Sequence, residues 1–343
     1  MKSRLTLSAR IKALALLGEK LRSLDSDEWQ LVMDDAKARN GWFTIPSQVQ
    51  ALAAIREDML DEKKLEEWVQ PYQDLASKEQ KKIGLILAGN IPAVGFHDVL
   101  SCLISGHYAL IKASDKDSVL IHYLLKLLVE IEPAFEHEFE FTEQLKTMEA
   151  VIATGSNNTG RYFHTYFDKY PNIIRNHRNS VAILTGMESD ETLYAIGADI
   201  FTYFGLGCRN VSKIYVPEGY NFTQLLEVLH QYKEIVLHHK YKNNFDYNIA
   251  LFLLNKVQYI NNGCLILLED KRLASRIASL HYEYYDEPTL LAERLKEDAE
   301  NIQCIVSSVQ IQNLATLPPG QSQRPALSDY ADGTDTLSFL NSL

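Results

Sequence analysis

Lys82-Ile83-Gly84-Leu85-Ile86-Leu87-Ala88-Gly89-Asn90-Ile91-Pro92 decides the fold. Its apolar run, Ile83 to Ala88, stops at a small polar turn, and Pro92 suits the first turn of a helix. From Lys82 onward, short apolar runs bounded by Gly, Asn or Pro alternate with longer helical patterns. The runs are Ile83 to Ala88, Tyr108 to Lys112, Val151 to Thr154 and Val181 to Leu184; the helices between them are Ala93 to Gly106, Lys116 to Ile131 and Thr159 to Asp168. This βαβ rhythm predicts a parallel sheet. A second alternation, from Lys213 to Val306, predicts another α/β unit. Asn244 to Asn255 stays open between helix and buried strand.

Outward from this centre, residues 1–80 are helical in pattern. Ser8 can cap a helix carrying Ile11, Leu14, Leu17, Leu21 and Leu24, Asp27 to Arg39 forms another, and Ser47 with Gln50 makes a capping-box pattern. After Leu317 the chain turns at Pro318-Pro319-Gly320 into a short polar tail.

The whole chain has 343 residues, 46% hydrophobic and 23% charged, with 34 Lys plus Arg against 45 Asp plus Glu and a net charge of −11. That is globular composition, long enough for about two domains. The acidic balance and the lack of basic runs argue against nucleic acid. The N-terminal apolar stretch is broken by Gly18, Glu19 and Lys20, which is not a signal-peptide pattern, and no window is long enough for a membrane span. Four cysteines without C-x-x-C spacing fit a reduced, cytoplasmic protein.

Two turns could hold phosphate or developing negative charge on backbone N–H groups. One is Ala88 to Pro92, where Asn90 adds an amide; the other is Thr154-Gly155-Ser156-Asn157-Asn158-Thr159-Gly160. The second matches neither G-x-G-x-x-G nor the P-loop, so it is equally a capped connection. Lys112 ends a strand at the same edge and could reach a ribose or phosphate, or simply be solvated. Cys102, Cys264 and Cys304 lie in apolar runs and look structural. Cys208, in Gly205-Leu206-Gly207-Cys208-Arg209-Asn210, is the reactive candidate, although spacing alone leaves it a packing residue. The histidines lack partners at metal-ligand spacing, so no metal is expected.

Taken in order, Ala-Gly-Asn-Ile-Pro, Leu-Ile-Lys-Ala-Ser-Asp, Thr-Gly-Ser-Asn-Asn-Thr-Gly and Gly-Leu-Gly-Cys-Arg-Asn resemble the successive motifs of the aldehyde dehydrogenase superfamily. Within it the chain is similar to the acyl-CoA reductase (LuxC) family, through Asn40-Gly41-Trp42-Phe43-Thr44, His177-Arg178-Asn179-Ser180 and Asp329-Tyr330-Ala331-Asp332-Gly333-Thr334-Asp335. The resemblance implies an α/β, aldehyde-dehydrogenase-like fold. Residues 1–80 would be a helical region packed on the cofactor domain, 81–186 a Rossmann-type nicotinamide-binding domain, 187–316 a catalytic domain carrying Cys208, and 317–343 a tail. It makes Cys208 the nucleophile and Asn90 an oxyanion donor. It puts Lys112 and Asp115 at the adenosine ribose, and Gly155, Ser156 and Gly160 beside the pyrophosphate.

The activity implied is reduction of an acyl-CoA, or acyl-carrier thioester, to fatty aldehyde in a cytoplasmic enzyme, with a homo-oligomer left open. The family suggests NADPH, whereas a carboxylate at Asp115 pointing inward would favour NADH. Hydrolytic aldehyde dehydrogenases carry a Glu about thirty residues before the nucleophile; here Arg175 or its neighbours stand there. Lacking a water-activating base, the chain suits thioester reduction. The other readings are a cysteine acyltransferase or thioesterase without hydride transfer, and a non-catalytic partner subunit.

Overall fold

A computed structural model describes residues 4–76, 78–155 and 157–343. The chain divides into two compact units, one of residues 1–177 with 325–343 and one of residues 178–324.

The first unit opens with helices α1 (Leu7–Lys20), α2 (Asp27–Arg39), α3 (Ile45–Ala54) and α4 (Glu62–Val69). Thr6 and Ser26 cap α1 and α2, and Thr44 rather than Ser47 caps α3, accepting from the Ser47 amide at 3.3 Å. Pro46 suits a first turn, so α3 starts ahead of the expected box. There follow β1 (Lys82–Ile86), α5 (Phe96–Ile104), β2 (Tyr108–Lys112), α6 (Ser118–Ile131), β3 (Phe139–Phe141), β4 (Ala150–Thr154), α7 (Asn157–Phe167) and β5 (Asn172–Arg175). All five strands are parallel, in the order β3-β2-β1-β4-β5. This is a doubly wound sheet, whose order reverses between β1 and β4. Leu14, Leu17, Leu21, Trp29 and Met33 of the leading helices share one core with Leu103, Ile104, Leu124 and Leu128.

The second unit contains β6 (Asn179–Ile183), α8 (Asp190–Phe201), β7 (Val211–Pro217), α9 (Phe222–Leu229), α10 (His239–Leu254), β8 (Ile260–Asn261), β9 (Ile266–Glu269), β10 (Ser279–Tyr285), α11 (Pro288–Glu297) and β11 (Ile302–Ser307). Its sheet has the order β11-β6-β7-β10-β9-β8, parallel except for the β8–β9 pair. The run Val181 to Leu184, grouped by rhythm with the first sheet, thus belongs to the second, where β6 pairs with β7 and β11. The ambiguous Asn244 to Asn255 is helical within α10.

The tail is less polar than its composition suggests. It ends in α12 (Thr336–Ser342), capped by Asp335, and buries Leu337 and Leu340 in the first core. Tyr72 donates to the Asp335 carboxylate at 2.8 Å, and Trp68 donates to the Tyr330 hydroxyl at 2.8 Å. Deeper down, Arg175 at the end of β5 pairs with Asp98 of α5 at 2.5 Å and donates to the Thr336 hydroxyl at 2.8 Å. One guanidinium thus joins β5, α5 and α12. Both charged side chains are buried, so removing one partner strands the other. Asp98→Ala should lose about 3–5 kcal/mol of unfolding free energy; urea denaturation measures it, and a loss within error of zero would show the pair to be dispensable.

Candidate active site

Parallel pairing brings the carboxyl ends of β1, β2 and β4 to one edge. Ile86 lies opposite Lys112 on one side and Ala153 on the other. The Asn90 turn, Lys112 and Gly155 therefore follow adjacent strands at the switch point, where doubly wound sheets take dinucleotides. Lys112 and Asp115 are exposed, and Asn90 is half-buried. Gly160 is buried in the first turns of α7, and Ser156 lies outside the described residues. A Cβ on Gly160 would come within 2.1 Å of Asn176 Oδ1, and one on Gly155 within 2.8 Å of the Phe163 ring. Both glycines let the turn close against its neighbours, the packing role that a glycine takes in dinucleotide folds.

The Asn90 turn rests on a residue that sequence reading passed over. Gly89 packs so closely on the β2–α6 loop that a Cβ there would lie 2.4 Å from Ser114 Oγ and 3.2 Å from Asp117 Cβ. Asp117 occupies the N-cap position of α6 but makes no capping bond. Its carboxyl is buried beneath the turn, and neither oxygen has a hydrogen-bond partner of ordinary geometry. Burial pushes its pKa well above the usual 3.8, against the opposing influence of the Ala93 and Val94 amides. Ala93 itself has a left-handed φ of 54°. In sequence Asp117 is an ordinary acidic residue before an apolar helix, which signals only a cap.

A group whose folded pKa is raised contributes stability below its unfolded pKa of 3.8, and that contribution is lost as pH rises through the folded value. Asp117→Asn should flatten the fall of the urea midpoint as pH rises above about 4; parallel wild-type and variant curves would exclude Asp117 as the source.

The cysteine-bearing loop lies in the second unit. After α8, Tyr203, Phe204 and Gly205 adopt left-handed φ values of 52°, 60° and 74°. Tyr203 is buried, and the Phe204 ring lies 4.4 Å from that of His238. Asn210 braces the next stretch. Its Oδ1 accepts from the Gly207 amide at 2.8 Å, while its Nδ2 donates to the carbonyls of Asp199 at 3.0 Å and Thr202 at 2.8 Å. The amide thus satisfies carbonyls at the end of α8 and folds the loop back on it. The Asp199 carboxylate accepts from the Gly320 and Ser322 amides at 2.7 and 3.0 Å, fixing the Pro318-Pro319-Gly320 turn. Asn210 was visible in sequence as part of a motif, but its role depends on α8 ending beside it.

Cys208 is half-buried on this loop, whereas Cys102 and Cys264 are fully buried. Burial pushes the Cys102 thiol up and raises that of Cys264 to about 11. Cys304, at intermediate exposure on β11, is raised to about 11 by the same cause. Asn90, Lys112, Asp115, Gly155 and Gly160 belong to the first unit and Cys208 to the second. Among the described residues no cluster of three His, Cys, Asp or Glu could hold a metal, and no helix is long and apolar enough to cross a membrane.

The model of the family described as acyl-CoA reductase (LuxC) matches residues 47–234. The chain belongs to that family. The fold of this LuxC-family oxidoreductase is that of aldehyde dehydrogenases. Aldehyde dehydrogenase 21 from Physcomitrella patens, solved with the reaction product succinate, superposes with a TM-score of 0.70 at 11% identity, over 98% of this chain and 84% of that one. An NADP-dependent enzyme of E. coli gives 0.66 at 13% identity, over 89% and 74%. The P. syringae indole-3-acetaldehyde dehydrogenase AldA, solved with NAD+, gives 0.64 at 14%, over 88% and 72%. No curated protein sequence matches the chain.

Proposed function

We propose that the chain reduces a fatty acyl-CoA to the aldehyde with NADPH, through an acyl-enzyme on Cys208. The observation that carries this reading is the half-buried Cys208 on a braced loop, in a chain of the acyl-CoA reductase family. The resemblance of Gly205 to Asn210 to the superfamily's cysteine motif supports a nucleophile there, and Cys102 and Cys264 are shut away.

The Cys208 thiolate attacks the thioester carbonyl, forming a C–S bond and an oxyanion. The Asn90 side-chain amide and the Cys208 N–H donate to that oxyanion. As it collapses, the bond to CoA sulfur breaks and CoA leaves as the thiolate, so the exchange is nearly isoenergetic. A dinucleotide fits the first unit, because a doubly wound switch point, two closely packed glycines and the exposed Lys112 and Asp115 lie along one edge. Lys112 and Asp115 would hold the adenosine ribose, and the turn from Gly155 to Gly160 the pyrophosphate. When bound, the reduced nicotinamide supplies hydride. After reduction of the acyl group, the thiohemiacetal on Cys208 collapses, the C–S bond breaks, and the aldehyde leaves with the thiolate restored.

Arg175 supports reduction over hydrolysis. Where hydrolytic relatives are expected to carry a water-activating Glu, this guanidinium is buried against Asp98 and Thr336. A cation so held takes no proton from water, and the acyl-enzyme is spared.

Incubation with acyl-CoAs of graded length should put the acyl mass on the Cys208 peptide, and NADPH should then release aldehyde. Cys208→Ala should carry no acyl group. Asn90→Ala should lower turnover by roughly 10²- to 10³-fold, the cost of one oxyanion donor, without unfolding. Release of acid in place of aldehyde would turn the assignment to a thioesterase, and wild-type turnover by Asn90→Ala would remove Asn90 from the site.

A further inference from the structure

Ser180, on β6, is fully buried between the cysteine loop and β11. Its hydroxyl donates to the carbonyl of Cys208 at 2.9 Å, lies 3.0 Å from Cys304 Sγ, and accepts from the Cys304 amide at 3.2 Å. A serine hydroxyl has one proton and two acceptor lone pairs. With the proton given to Cys208 and one lone pair filled by an N–H, the sulfur contact leaves Cys304 as donor, S–H to Oγ. The inventory closes: one donor and two acceptors, all used. Burial favours that protonated thiol, raising its pKa to about 11.

The peptide groups on either side of Cys208 are therefore both pinned. The carbonyl of Gly207 accepts from the Asn210 amide at 3.1 Å. In a trans peptide the N–H points opposite the C=O, so this bond aims the Cys208 N–H away from Asn210. The following peptide is held through the Cys208 carbonyl by Ser180. Fixing both planes fixes φ and ψ at Cys208, and with them the directions of its N–H and its Cα–Cβ bond.

We propose that Ser180 and Cys304 are positioning residues, a thiol-to-hydroxyl relay that sets the backbone of Cys208 and so aims its sulfur and its oxyanion-donating N–H. The inference rests on the reading of Cys208 as nucleophile. It gives Cys304 a role distinct from chemistry: its proton fills the lone pair that keeps the serine donor turned toward Cys208. Ionising Cys304 would draw the Ser180 proton to sulfur and release the carbonyl. A serine at 304 retains a donor, whereas an alanine does not.

The test uses the full-length chain with Cys304→Ala, Cys304→Ser, Ser180→Ala and Cys208→Ala. Turnover with acyl-CoA and NADPH is measured alongside urea denaturation. Cys304→Ala and Ser180→Ala should lower kcat about 10- to 100-fold, the effect of a small misplacement of reacting groups. KM should stay within about twofold, because substrate binding is untouched. Cys304→Ser should restore kcat to within about threefold of wild type. The relay is overturned if Cys304→Ala, folded and with Cys208→Ala inactive, turns over at the wild-type rate, or if Cys304→Ser is as impaired as Cys304→Ala. Should Ser180→Ala not fold, the two Cys304 variants decide alone. Full activity in Cys208→Ala would instead sink the nucleophile assignment.

Discussion

Parallel pairing of β1 with β2 on one side and β4 on the other governs the first unit. Parallel strands need crossover connections, so β1, β2 and β4 are each followed by a helix and their carboxyl ends arrive at the same edge. Reversal of strand order between β1 and β4 then opens a crevice beyond those ends. The Asn90 turn, Lys112 and Gly155 share that edge because they follow the three adjacent strands. The pairing also explains the cost accepted at Asp117: seating the β1 turn on the loop after β2 buries a carboxyl without a good partner.

The rhythm of apolar runs was legible because buried parallel strands are near-continuous stretches of branched side chains. Tyr108 to Lys112 and Val151 to Thr154 stand out in this way. Two edge strands did not. Phe139–Phe141 has three residues within a Glu-rich stretch, and Asn172–Arg175 has four just after Pro171. Edges carry charge and stay short, which erases the pattern that marks a central strand. The partner of Val181 to Leu184 was hidden for another reason. A strand's own residues give its burial, but its neighbours are chosen by chain up to more than a hundred residues away, as β11 is for β6.

At the candidate site, the residues proposed to bear chemistry were legible as motifs, and those that brace their loops were not. Asn90, Lys112 and Cys208 belong to types and turns that suggest reactivity. Asp117, Ser180 and Asn210 are common polar residues whose roles come from what the fold puts next to them. Cys304 shows the limit most clearly. An apolar run identifies its strand, but not that its sulfur and amide both meet a buried hydroxyl. Arg175 is the converse: its presence was noticed because a carboxylate was missing, and its partners Asp98 and Thr336 emerged only with the fold.

The left-handed turn at Tyr203, Phe204 and Gly205 bears on how this loop can evolve. Each side-chain-bearing residue held there is disfavoured by about 1–2 kcal/mol, offset here by packing of the two aromatic rings. A β-branched replacement would meet the full steric objection without those contacts, and a one-residue insertion would hand the twist to a neighbour unsuited to it. Mutational drift through the segment is therefore confined to paths that preserve both twist and rings, making it a conservative stretch on mechanical grounds before any chemistry is considered.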